Sequence, residues 1–205
     1  MFYQQKASAY ETHTRVVMGN NCISQLPEEL RVVKPNHVLV VTGKNVKKTP
    51  FYQKCLDYIA ESGYAYTAFN QVEEEAPVRN IVDGVKIVHE LGCDLLIAIG
   101  GGSAMDVCKG IAVLATNGGT IQQHKGYEQF HIRPIPFITI PTTAGTASEV
   151  TSIAIIHDEE THVKISVGHR ELLCARVAFL DPQSLATCPR SVIAQSGIDA
   201  LAHNF

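Results

Sequence analysis

The sequence predicts an α/β protein: a parallel sheet with flanking helices, a β-rich later part, and the first residues of a helical domain after it. Three observations predict it. Short β-branched apolar runs alternate with amphipathic stretches as far as Gly118. The run Leu95-Leu96-Ile97-Ala98-Ile99 is polar on neither face, as a strand covered on both sides must be. After Gly118-Gly119 the pattern turns β-rich, and helical spacing returns only beyond Pro189.

In chain order, residues 38–42 read as a strand, and 51–62 as a helix whose apolar face is Phe51, Cys55, Leu56 and Ile59, ended by Gly63. Residues 65–69 form a second strand. Pro77 stands where the next helix starts; Ile81, Val85 and Val88 share its buried face with Val82 and Leu91 at the margins, and Gly92 occupies the C′ position. With 95–99 as the third strand, the βαβαβ order implies a parallel sheet with helices on both faces. Strands follow at 137–140, 151–156, 163–167 and 177–180. From Pro189 a helix begins with Val192, Ile193 and Ala194, interrupted at Ser196-Gly197. The expected division is an α/β domain over 1–188 and the start of a helical domain over 189–205.

At 205 residues, with 45% hydrophobic and 18% charged side chains, the chain can bury a sizeable core. A net charge of -3 gives no electrostatic reason to expect nucleic acid or an anionic membrane as partner. The opening residues Met1-Phe2-Tyr3-Gln4-Gln5-Lys6 have no apolar core of signal-peptide length, and no stretch approaches the ~20 apolar residues of a membrane span. A soluble, cytoplasmic protein is expected. Six cysteines without a CxxC pair read as structural thiols rather than a zinc ribbon or a disulfide frame.

Chemistry concentrates in three places. The first is GGGSAMDVCK at 100–109, where three glycines after a buried strand let the backbone approach a phosphate and the following helix points free N–H groups at the anion. Met105 replaces the third glycine of GxGxxG, and no Gly-Lys-Ser/Thr follows, so neither standard nucleotide fingerprint applies. A capping box between Ser103 and Asp106 explains the same residues structurally, and Asp106 also suits Lys109 three residues on. The second place is PTTAGTASEV at 141–150, small and hydroxyl side chains at a strand's carboxyl end, where open α/β sheets bind ligands. Hydroxyls bonding their own loop are the plainer reading. The third is Ser196-Gly197-Ile198-Asp199-Ala200-Leu201-Ala202-His203, whose carboxylate and imidazole at i and i+4 share a helix face, near enough to bind one metal ion though two ligands rarely complete a site. Here too a Ser–Asp capping box is the alternative.

Together these motifs resemble the iron-containing, group III alcohol dehydrogenases. The resemblance runs in order through the Val-Thr strand end at Thr42, GGGSxxDxxK, PTTAGTxSEVT, Lys164 after a charged hairpin, Phe179-Leu180-Asp181-Pro182, and GxDALxH at Gly197 to His203. It implies a Rossmann-like amino-terminal domain for a nicotinamide dinucleotide, an all-helical domain completing the site, and one divalent metal between them. Gly101, Gly102 and Ser103 would hold the pyrophosphate, with Thr142, Thr143, Thr146 and Lys164 lining the rest of the groove. Asp199 and His203 would be the first two metal ligands, for Fe2+, with Zn2+ or Mn2+ as alternatives. The implied reaction is hydride transfer between NAD(P)(H) and a small-molecule alcohol or aldehyde.

Two departures from the family pattern stand out. Relatives that prefer NAD commonly carry an aspartate after the Val-Thr strand end; this chain has Gly43 and Lys44, with Lys47 and Lys48 close by, which favours NADP over NAD through its 2′-phosphate. Lysines at a solvated helix start are the alternative reading. Family members also continue past the histidine, so the chain is expected to act as a cofactor-binding portion, inactive by itself, with a bare apolar face that favours a homo-oligomer. A non-catalytic nucleotide-binding module from a truncated gene is the competing reading.

Overall fold

The computed structural model describes residues 12–203, the last of these by its backbone alone. The opening hexapeptide, the side chain of His203 and the final two residues lie outside the described part. Nine strands and five helices occupy the described residues.

Six strands form one parallel sheet: β1 (Arg15–Met18), β2 (His37–Gly43), β3 (Ala65–Val72), β4 (Leu95–Gly100), β6 (Phe137–Pro141) and β9 (Val177–Leu180), in the order β1-β9-β6-β4-β2-β3. Every residue of β4 and β6 is buried, which explains their lack of a polar face. Alternate residues of the central strands feed two cores. Val38, Val40, Leu95, Ile97 and Ile99 face α1 (Leu26–Val33) and α2 (Pro50–Glu61), while Leu39, Val41, Leu96 and Ala98 face α3 (Val78–Leu91) and α4 (Gly102–Asn117).

The helices stop and start where expected. Thr49 caps α2 by accepting the Tyr52 N–H, Pro77 precedes α3, and Gly92 closes α3 with φ 65°. Helices α3 and α4 press together at Gly84 and Gly110, where a Cβ would stand 2.2 Å from Ile111 and 2.4 Å from Ile81. That crossing fixes α4 over the sheet.

A smaller sheet joins β5 (Gly126–Tyr127), β8 (Val163–Gly168) and β7 (Ile153–Asp158). β7 starts at Ile153, two residues later than the sequence suggests, because Ser148 and Thr151 are held by side-chain bonds described below. The last helix, α5 (Arg190–His203), runs unbroken through Ser196-Gly197. The expected interruption is absent since the Ser196 hydroxyl donates to the Val192 carbonyl one turn back, compatible with continuous helix. No helix of the described residues is long and apolar enough to cross a membrane.

Candidate functional site

From β2 the chain passes to β3 on one side and then to β4 on the other, so the sheet order reverses between β2 and β4. Outside the carboxyl ends of those two strands lies a cleft of about 800 Å³. Such a reversal opens a crevice because the following loops lead away in opposite directions. Gly43 and Lys44 line one wall, Gly101, Gly102 and Ser103 the floor, and Thr143, Thr146 and Asp199 the far side.

The floor is shaped by what a side chain would hit. A Cβ at Gly100 would stand 2.7 Å from that of Ala104, and one at Gly101 would crowd the Thr143 hydroxyl at 3.2 Å. Gly101 is the N-cap of α4, and no side chain caps that end. The capping box expected at Ser103 and Asp106 is therefore not formed, because Asp106 bonds elsewhere: it accepts from the Ser148 hydroxyl at 2.7 Å and from the Ile155 N–H at 3.2 Å. An uncapped helix start over bare backbone is suited to an anion, and a phosphate-bearing ligand fits it.

Three loops meet at this end of the sheet. Thr142 donates its N–H to the Gly100 carbonyl and lines a separate recess of about 240 Å³ with Ser184, Cys188 and Val192. Lys164 lies in an adjoining cleft of about 370 Å³, shared with Glu75, Ser103, Asp106, Thr146 and Asp199, and pairs with Glu75 at 3.5 Å. Gly145, at φ 135°, approaches α5 so closely that a Cβ would stand 2.0 Å from the Ser196 carbonyl oxygen. This contact brings Asp199 to the mouth of both clefts. The Ser196–Asp199 capping box is excluded, since α5 starts at Arg190.

Two residues of the cleft escaped the sequence reading. Glu73 and Glu74 also line the main cleft, beside Lys44. Glu73 accepts from both Arg79 and Asn80, and the Arg79 guanidinium holds its carboxyl below the usual range. Lys109, inside an otherwise apolar stretch of α4, is fully buried. Burial pushes its ammonium down to about 8 against the opposing pull of Asp106. Its pairing with Asp106, at 3.9 Å, is the one that the three-residue spacing suggested.

Among the described residues no group of three or more His, Cys, Asp or Glu side chains converges as a metal centre. Asp199 supplies one carboxylate donor of the type a divalent metal takes, which alone does not complete a site. The six cysteines are free, and burial pushes the Cys55 thiol up to about 12, in keeping with a packing role.

The family profile described as iron-containing alcohol dehydrogenase matches residues 13–182. The chain is 36% identical over 202 residues to a choline dehydrogenase of Bacillus subtilis, covering 97% of this chain and 50% of that protein. It is 31% identical over 187 residues to an NAD-dependent methanol dehydrogenase of Bacillus methanolicus, covering 91% and 49%. A crystal structure of 1,3-propanediol oxidoreductase superposes with a TM-score of 0.91 at 32% identity, covering 97% of this chain and 52% of that one. The chain thus spans about half the length of the curated relatives it matches. With the profile matched over most of its length and the glycine cradle at the reversal of the sheet, the chain belongs to the iron-containing alcohol dehydrogenase family.

Proposed function

We propose that this chain is the dinucleotide-binding portion of a metal-dependent alcohol dehydrogenase or aldehyde reductase, with 1–188 as the cofactor domain and 189–205 as the start of a helical one. The observation that carries the proposal is the uncapped start of α4 over Gly100, Gly101 and Gly102 at the β2/β4 reversal. Gly101, Gly102 and Ser103 hold the pyrophosphate there. Thr143 and Thr146 wall the groove, Thr142 lines the recess next to it, and Lys164 serves the adjoining cleft. Gly43 and Lys44 face the adenosine end.

Cofactor choice is set at that end. Lys44, with Lys47 and Lys48 nearby, favours a 2′-phosphate, whereas Glu73 and Glu74 on the same rim oppose it. NADP remains the proposed cofactor over NAD because Glu73 is already paired with Arg79, which it shares with Glu159, and Lys44 is the basic residue lining the cleft. Asp199 and His203, one turn apart on α5, are proposed as two ligands of the iron, with Zn2+ or Mn2+ as substitutes. A bound divalent ion would polarise the substrate oxygen. The substrate class is a small alcohol or aldehyde, as in the relatives named for choline, methanol and 1,3-propanediol.

Fluorescence titration with NADPH and NADH tests the reading. Saturable binding of either supports it; absence of binding to both overturns it. Tighter NADPH binding with a gap that narrows at high salt supports the lysine rim, and equal affinities remove it. Aldehyde reduction by this chain alone with added Fe2+ is expected to be negligible, and robust turnover would overturn that expectation.

A further inference from the structure

Lys109 is the largest fully buried charged side chain among the described residues, and it lines none of the clefts described above. Its Nζ lies 2.7 Å from the Ser148 carbonyl, 3.2 Å from the Ser148 hydroxyl, 3.1 Å from the Thr151 hydroxyl and 2.7 Å from the Ile153 carbonyl. Four acceptors surround three N–H groups, so no proton is left over. The Asp106 carboxylate, 3.9 Å away, balances the charge and is itself fixed by Ser148 and Ile155.

All four acceptors belong to the end of the threonine-rich loop and the first residue of β7. From there the contacts lead back to the groove: the Ser148 N–H points at the Thr146 hydroxyl, at 3.4 Å, and the Thr146 side chain stands 3.5 Å from where a Cβ on Gly102 would lie. An unbroken series of contacts thus joins a buried ammonium to the phosphate floor. An apolar side chain of the same length would fill this volume but would leave the Asp106 carboxylate and the Ser148 and Ile153 carbonyls without their cation. What only the ammonium supplies is a set of directed bonds that fixes a loop rich in small residues.

We propose that Lys109 is a positioning residue that sets the Thr146 wall of the groove from inside α4, so that dinucleotide affinity depends on an ammonium that touches no ligand. The proposal rests on the dinucleotide reading above. Its test compares Lys109→Met with Ile111→Ala, a packing loss on the same helix, in the full 205-residue chain. NADPH titration, thermal unfolding and hydrogen exchange over 142–153 are the readouts. Lys109→Met is expected to weaken NADPH about tenfold and to speed exchange across 146–153. Ile111→Ala, with a similar fall in Tm, is expected to leave affinity within about twofold.

Affinity unchanged in Lys109→Met, or falling in both variants in proportion to Tm, would overturn the proposal. Thr151→Val removes one acceptor and leaves the core filled, so it decides the matter if Lys109→Met fails to fold. A rise in Kd of about threefold without a matching fall in Tm supports the proposal, and an unchanged Kd sinks it. Should the parent chain bind neither dinucleotide, the functional reading fails while exchange over 146–153 still decides whether Lys109 orders the loop.

Discussion

Past β4 the groove is walled by bare backbone, Gly100, Gly101 and Gly102, whereas past β2 and β3 it is walled by the side chains of Lys44, Glu73 and Glu74. The backbone wall is fixed by sterics: Ala104 and Thr143 stand so close to Gly100 and Gly101 that a Cβ there moves a neighbour, and Thr146 lies in contact range of Gly102. The charged rim is exposed and answers to salt and pH. Shape is therefore set on one side of the cleft and charge preference on the other, and the two should fail differently when mutated.

The largest effect is expected where the backbone wall meets α5. Gly145→Ala places a methyl 2.0 Å from the Ser196 carbonyl at a backbone angle that disfavours any Cβ. We expect a loss of about 1–3 kcal/mol in stability by thermal unfolding, with exchange in α5 rising most. A variant as stable as the parent would mean that α5 is not docked through this contact.

Gly100→Ala tests the floor itself. The 2.7 Å approach to Ala104 forces the strand end and the start of α4 apart, and dinucleotide affinity is expected to fall about tenfold for NADH and NADPH alike. Unequal losses would place the charge discrimination on the wrong side of the cleft.

The rim should show the opposite signature. Lys44→Ala is expected to weaken NADPH by about threefold and NADH hardly at all, with the difference fading at high salt. Equal effects on both cofactors would remove the 2′-phosphate from this rim.

The smallest effect concerns Glu73. Its carboxyl is held below the ordinary 4.5 by hydrogen bonds from Arg79 and Asn80. A depressed carboxyl stabilises the fold above its unfolded value, and that contribution is lost as pH falls through its folded value. Carboxyl titration by NMR should find Glu73 below 4.5, and Arg79→Met should return it toward that value. No movement would show that Arg79 does not set the charge of the rim.

Much of this was legible in the sequence for local reasons. Residues 38–42 and 95–99 announce buried strands because β-branched and apolar side chains cluster without polar alternation, and Pro77 and Gly92 bracket α3 by their own backbone preferences. GGGS at 100–103 announces a close backbone approach, since glycine's lack of a Cβ is a local property. β1 and α1 escaped notice: β1 is a four-residue edge strand, and α1 has only two turns. Local signals misled where two structures share one pattern. Ser103 and Asp106 satisfy a capping spacing, yet Asp106 turns instead to Ser148, 42 residues away.

By itself the sequence determined the α/β class, the order of the elements from β2 to α4, the close backbone approach at 100–103 and the family. Only the tertiary structure decided that Thr146, Lys164 and Asp199 meet at adjoining clefts, that Lys44 and Glu73 share one rim, and that Lys109 is sealed beneath the loop. The physical reason is range. A glycine's freedom or a strand's apolar run acts within a few residues. A site formed where three strand ends and a distant helix converge depends on contacts such as Gly145 against Ser196, and no local pattern encodes them.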